Sequence, residues 1–137
     1  PMGYEFGFQR SLHVVETTPD DWESPRWDLQ SFIRAVNHWK LDVPLWQGEG
    51  DLVQRSMSTP NLCVLERRSL ENPHSWALLC LNTHAHEPVD VAIGELGPLP
   101  SPPKMWRVSS LDQHPGSHSI PERVVFQPAE VIVITAF

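Results

Sequence analysis

Apolar positions fall into two regimes that meet near Gly48. Upstream, Leu29, Phe32, Ile33 and Val36, with the stem of Lys40, recur at spacings of three and four. That stripe is the core-facing side of an amphipathic helix. Asp28 stands at its cap, Trp27 and Phe32 occupy hydrophobic-staple positions, and Pro44 stops it at about residue 42, so the spacing predicts a helix over 28–41. Downstream, short apolar runs separated by Pro, Gly, Asn and His predict strands at 51–57, 61–67, 75–82, 87–93, 104–109, 122–127 and 129–135. Seven short runs with turn signals between them favour an antiparallel β-sandwich in a mostly β chain. The runs 62–67 and 76–81 are apolar on both faces and read as central strands, whereas Val89, Val91 and Ile93 alternate with Asp90 and Ala92 as in a strand with one wet face.

The opening stretch Pro1-Met2-Gly3-Tyr4-Glu5-Phe6-Gly7-Phe8 reads as a buried strand and the loop leaving it. A buried strand needs paired neighbours, and none precedes it, so the chain reads as the tail of a longer protein. Residues 1–47 are then a remnant and 48–137 a β-sandwich domain. Between them, Thr18-Pro19-Asp20-Asp21 carries the cap, first-position proline and capping carboxylate of one helical turn. The proline-rich run 97–103 stiffens a connection. Its Pro100 and Pro103 also have the spacing read by proline-binding modules, without the basic residue that usually precedes them.

Charge narrows the partners. The formal net charge is −7 and the only lysines are Lys40 and Lys104, which argues against a nucleic-acid or anionic-membrane surface. No apolar run approaches the roughly 20 residues that span a bilayer, and no signal segment appears, so a cytoplasmic location is the expectation. Cys63 and Cys80 become cross-strand neighbours if 62–67 and 76–81 form a hairpin with a symmetric turn, Arg67 facing Trp76 and Leu65 facing Leu78. A disulfide directly across adjacent strands is strained, and two buried thiols are the expected state.

Several segments together resemble the carboxyl end of the alpha-amylase family of glycoside hydrolases, family 13. The Pro-x-Gly-Tyr-Glu-type opening is similar to the end of that family's last barrel strand, and the helix with Phe32, Ile33, Val36 and Asn37 to its last barrel helix. Leu62-Cys-Val-Leu-Glu-Arg67 and Trp76-Ala-Leu-Leu-Cys-Leu-Asn82 resemble two successive strands of its C-terminal domain. Met105-Trp-Arg-Val-Ser-Ser-Leu111 and Gln127-Pro-Ala-Glu-Val-Ile-Val-Ile134 resemble later segments. The run Ser109 to Gln113 departs from the family's Asp-Leu-Leu-Thr-Gly, and the arm from Gln9 to Trp27 is long, as in maltosyltransferase-like branches. The resemblance implies a C-terminal Greek-key β-sandwich preceded by a strand-loop-helix remnant of a (β/α)8 barrel. It also implies a non-catalytic segment that stabilises the barrel of a glucan-acting enzyme, with α-glucan met through the parent enzyme. The family's catalytic carboxylates lie on earlier barrel strands, so none is expected here.

Glu5 is then a carboxylate at a strand end, where barrel sites form, and Tyr4, Phe6 and Phe8 are rings able to stack on sugar. Tyr4, Glu5 and Phe6 are the candidate substrate-contacting residues. Trp22, Trp46 and Trp106 are further candidates for a sugar platform, with burial in the core the plainer reading. His84 and His86 share one face if extended, and His114 or His118 would be the candidates to complete a metal set, yet no third ligand is fixed by spacing, and no metal or cofactor is expected. Apolar Phe6, Phe8, Phe32 and Ile33 would form a patch supporting self-association. The competing readings are a free-standing carbohydrate-binding module and a small metal-dependent enzyme.

Overall fold

The computed structural model describes residues 3–10, 12–13, 15–108 and 119–136. Seven strands follow one α-helix: α1 (Gln30–Asp42), then β1 (Gly50–Arg55), β2 (Leu62–Ser69), β3 (Trp76–Asn82), β4 (Val89–Ala92), β5 (Lys104–Arg107), β6 (Arg123–Phe126) and β7 (Val131–Thr135). A five-stranded sheet runs in the order β1-β2-β3-β7-β5, and β4 with β6 forms a separate pair. Every pairing is antiparallel.

Alternation along the strands builds three layers. On one face of the large sheet, Leu62, Val64, Leu78, Cys80, Met105, Ile132 and Ile134 pack against Val91, Val124 and Phe126 of the two-stranded sheet and against Leu96. Fully burying a side chain such as Leu78 or Phe126 contributes about 1.5–3 kcal/mol, so this layer is the main hydrophobic core. On the opposite face, Ala77 and Val133 meet Trp39, Val43 and Leu45 from the helix and the turn after it. The mostly β reading therefore holds, with a sandwich-like pair of sheets and one helix outside.

Trp39 is the buried residue of α1, its ring 5.7 Å from that of Trp46 and 6.1 Å from that of Trp106. The cap itself is Leu29, one residue later than expected and without a side-chain bond, while Asp28 Oδ1 accepts the Gln30 N–H at 2.8 Å in the turn leading into the helix. Arg67 holds the connection from helix to sheet. Its guanidinium donates to the carbonyls of Leu45, Gly48 and Gly50 and lies 5.7 Å from the Trp46 ring. Trp46 and Trp106 are thus core-flanking residues, not a sugar platform.

Two expectations need correction. The β2–β3 register is one residue away from the symmetric hairpin: Val64 faces Cys80, Cys63 faces Leu81, Arg68 faces Trp76 and Leu65 faces Leu79. Ser69 pairs with Ser75, and the intervening turn is shaped by Ser69 Oγ accepting the Glu71 and Asn72 N–H groups and by Asn72 Oδ1 accepting that of His74. A one-residue slip reverses faces. Cys80 therefore points into the main core and Cys63 away from it, and both are free thiols.

The second correction concerns the amino-terminal stretch. Residues Tyr4–Phe6 form a short 3-10 turn, not a strand. Gly3 (φ 79°) and Gly7 (φ 70°) bracket it in the left-handed region, which glycine enters without strain. Side chains are also excluded there by space: a Cβ would lie 2.3 Å from the Phe8 ring at Gly3 and 2.6 Å from the Trp27 ring at Gly7. Trp27 thus lies against Gly7. The Leu29 N–H reaches Glu5 O at 2.8 Å and the Arg26 N–H reaches Phe6 O at 2.9 Å, which ties the turn to the start of α1.

Candidate functional site

The arm after the turn folds back on itself through one carboxylate. Glu23 accepts the backbone N–H groups of Gln9 (2.5 Å) and Arg10 (3.3 Å), while Arg26 donates to Gln9 Oε1 at 2.8 Å. The bond from Gln9 N–H leads the interactions that hold the Glu23 carboxyl below its ordinary range. Nearby, Asp21 receives both the backbone N–H and the hydroxyl of Thr18, which lowers its pKa too and realises the expected capping carboxylate.

This fold-back brings together rings that are distant in sequence. Phe6 lies 5.6 Å from Phe8, and Phe8 lies 6.2 Å from Trp22, measured between ring centroids. With Gly3, Glu5 and Leu12 they line a hollow of about 220 Å³. Glu5 borders a second, more open groove of about 600 Å³, along the side of α1 that carries Ile33, Arg34, Asn37, His38 and Leu41. Trp22 is 54% exposed, so its ring face is accessible.

Of the three residues picked from sequence, Glu5 and Phe6 line the hollow, whereas Tyr4 is 63% exposed and is not among its walls. Phe8 and Trp22 replace it. The hollow is smaller than the roughly 300–1,000 Å³ of ligand pockets that enclose their ligand. It suits one flat, partly apolar ring held at its rim. An aromatic wall beside a carboxylate is the chemistry that stacks on the apolar face of a sugar and accepts from its hydroxyls. The described residues that line the hollow offer aromatic rings and one carboxylate, a surface suited to binding.

The histidine pair is put to structural use. His84 Nδ1 accepts the N–H groups of Glu87 (2.8 Å) and His86 (3.3 Å), which closes the turn after β3. Among the described residues no group of three or more His, Cys, Asp or Glu side chains can hold a metal, and His114 and His118 lie outside the described residues. So do Ser109 to Gln113, the run that departs from the family pattern. Pro100 is fully buried, so the proline-rich run cannot present both of its prolines to a binding module. No helix among the described residues is long and apolar enough to cross a membrane.

Asn82, which the sequence pattern placed only as a strand end, organises one end of the sandwich. Buried completely, its Nδ2 donates to the carbonyls of Glu87 (2.8 Å) and Gln127 (3.0 Å), and its Oδ1 accepts the His84 N–H at 2.9 Å. Close by, Glu130 is buried against Arg107, both carboxylate oxygens 2.7 Å from one guanidinium nitrogen. These groups are mutually satisfied, which marks them as supports of the fold rather than reactive centres.

Comparison with models of known protein families, with curated protein sequences and with solved structures returns no match for this chain.

Proposed function

We propose that this chain is the carboxyl-terminal, non-catalytic part of a glucan-acting enzyme similar to the alpha-amylase family, stabilising its barrel and contacting α-glucan at the Phe6–Phe8–Trp22 hollow. The observation that carries the reading is the two-sided helix. One side of α1 packs Trp39 into the β module, while Ile33, Arg34, Asn37, His38 and Leu41 line an open groove on another. A helix shared between a barrel and an attached sandwich has that character. The Greek-key connection of the sheets, the barrel origin of residues 1–47 and residence in the cytoplasm belong to the same reading.

A free-standing carbohydrate-binding module is the second reading, favoured by the exposure of Trp22. Its usual device is a flat strip of rings, whereas Phe6 and Phe8 are inclined by 31° and Phe8 and Trp22 by 56°. The first reading fits that geometry better.

The test is the coding sequence upstream. The reading frame should continue into a (β/α)8 barrel carrying an aspartate nucleophile and a glutamic acid, and the longer protein should cleave or transfer α-glucan while this chain alone does neither. A frame that encodes no barrel would overturn the reading. Titration of the longer protein with maltoheptaose should show binding weakened by Trp22→Ala, and an unchanged affinity would remove the hollow from the glucan-contacting surface.

A further inference from the structure

Strand β1 forms one border of the five-stranded sheet, and among the described residues no strand pairs with its outer edge. Leu52 is 56% exposed and Val53 60%, one on each face of the strand. The direction of its free backbone groups follows from the ladder. Leu70 N–H donates to Glu49 O at 3.2 Å, in the same register that pairs Gly50 with Ser69. Bonded residues alternate in an antiparallel ladder, so Glu49, Asp51, Val53 and Arg55 bond inward to β2. Gly50, Leu52 and Gln54 turn their N–H and C=O groups outward. The Ser69–Ser75 bond on the other side of β2 agrees, because it commits the odd-numbered residues of β2 to β3 and leaves the even-numbered ones for β1.

Sheet borders are commonly guarded by lysine, proline or a bulge. Strand β1 has neither residue, and its register with β2 is continuous from Gly50 to Arg55. We propose that β1 pairs with the same strand of a second copy of this chain, antiparallel and two-fold symmetric, Val53 facing Val53 of the partner subunit.

The outward phase permits a symmetric register centred on any residue of β1, and the centres Val53 and Leu52 pair the greatest length of the strand. Centred on Val53, Leu52 exchanges both backbone bonds with Gln54 of the partner subunit, and Asp51 lies across from the partner's Arg55. On its own side Asp51 already faces Arg68, so its carboxylate comes to lie in a row between two guanidinium groups. Arg55 keeps its bonds to Glu66 and to the Leu96 and Pro98 carbonyls, and the partner's Asp51 sets a second carboxylate beside it. Centring on Leu52 would set Asp51 against an apolar valine. Charge thus selects the Val53 register.

The chain should sediment as a dimer. Leu52→Pro removes an outward N–H and no bond to β2, so it should give a monomer whose thermal melt matches that of the parent. Val53→Lys should also give a monomer, because two ammonium groups would meet at the axis; this second variant decides the matter if the proline variant misfolds. In a Cys63→Ser background, Val53→Cys should cross-link on mild oxidation far faster than Leu52→Cys. A parent chain that stays monomeric, or a dimer that survives these substitutions, would overturn the proposal.

Discussion

Burial on the core side of β3 changes the chemistry of Cys80. Loss of solvent pushes its thiol up to about 12, so it has almost no thiolate at neutral pH, and the thiolate is the nucleophile. Iodoacetamide added to the folded protein near neutral pH should leave Cys80 unmodified, with labelling appearing only in denaturant. Early modification of Cys80, read by peptide mass spectrometry, would contradict the observed register. Glu66 shows the opposite balance. Burial raises its pKa, but hydrogen bonds from Arg55 and Arg68 outweigh that effect and hold it below the ordinary 4.5. A carboxyl whose folded pKa is depressed stabilises the fold above its unfolded pKa, and that contribution disappears as pH falls through the folded value. Thermal melts should therefore weaken on acidification below about pH 4.5, with Glu66→Gln less stable at neutral pH but less sensitive to acid. Equal acid sensitivity of the two proteins would assign the loss to other carboxyls.

At the scale of elements, residues on one strand should respond according to their faces. Leu78 is fully buried in the main core, whereas Leu79, on the helix side, is only partly buried. Leu78→Ala should cost about 2–5 kcal/mol, and Leu79→Ala distinctly less, in urea unfolding. Similar costs would contradict this facing. The β elements were legible because each strand is a short apolar run between strong turn signals: all seven predicted runs contain an observed strand or overlap it closely, and the predicted helix 28–41 overlaps Gln30–Asp42. The misses have local causes. Tyr4, Phe6 and Phe8 gave an apolar texture like a strand, but Gly3 and Gly7 adopt positive φ and close a turn. Hairpin register was not legible because it depends on how Ser69 and Asn72 bond within the turn. The rings of the hollow were visible singly, yet their meeting depends on Glu23 capturing Gln9 and Arg10, a contact no periodicity announces. The apolar patch expected of Phe6, Phe8, Phe32 and Ile33 is also different: those four are half-buried, and Tyr4, Val15, Trp22, Trp27 and Leu41 are the exposed apolar residues there.

Across the molecule, α1 and the two-stranded sheet cover opposite faces of the five-stranded sheet and use separate sets of core residues. Trp39 should therefore act on one layer more than the other. Trp39→Ala removes the centre of the tryptophan cluster and should cost about 3–5 kcal/mol. Hydrogen exchange should accelerate in α1 and in the turn containing Leu45 well before it does so in β2 and β3. Uniform acceleration would mean that the layers open as a single unit. The placement of β7 has a further consequence. It is last in sequence among the strands, yet it stands between β3 and β5 and joins them. During synthesis, β1 to β3 can form a meander as they leave the ribosome, but β5 has no seat beside it until residues 131–135 arrive. Assembly of the sheet must wait for that late strand, and a stalled nascent chain ending before it should remain sensitive to protease.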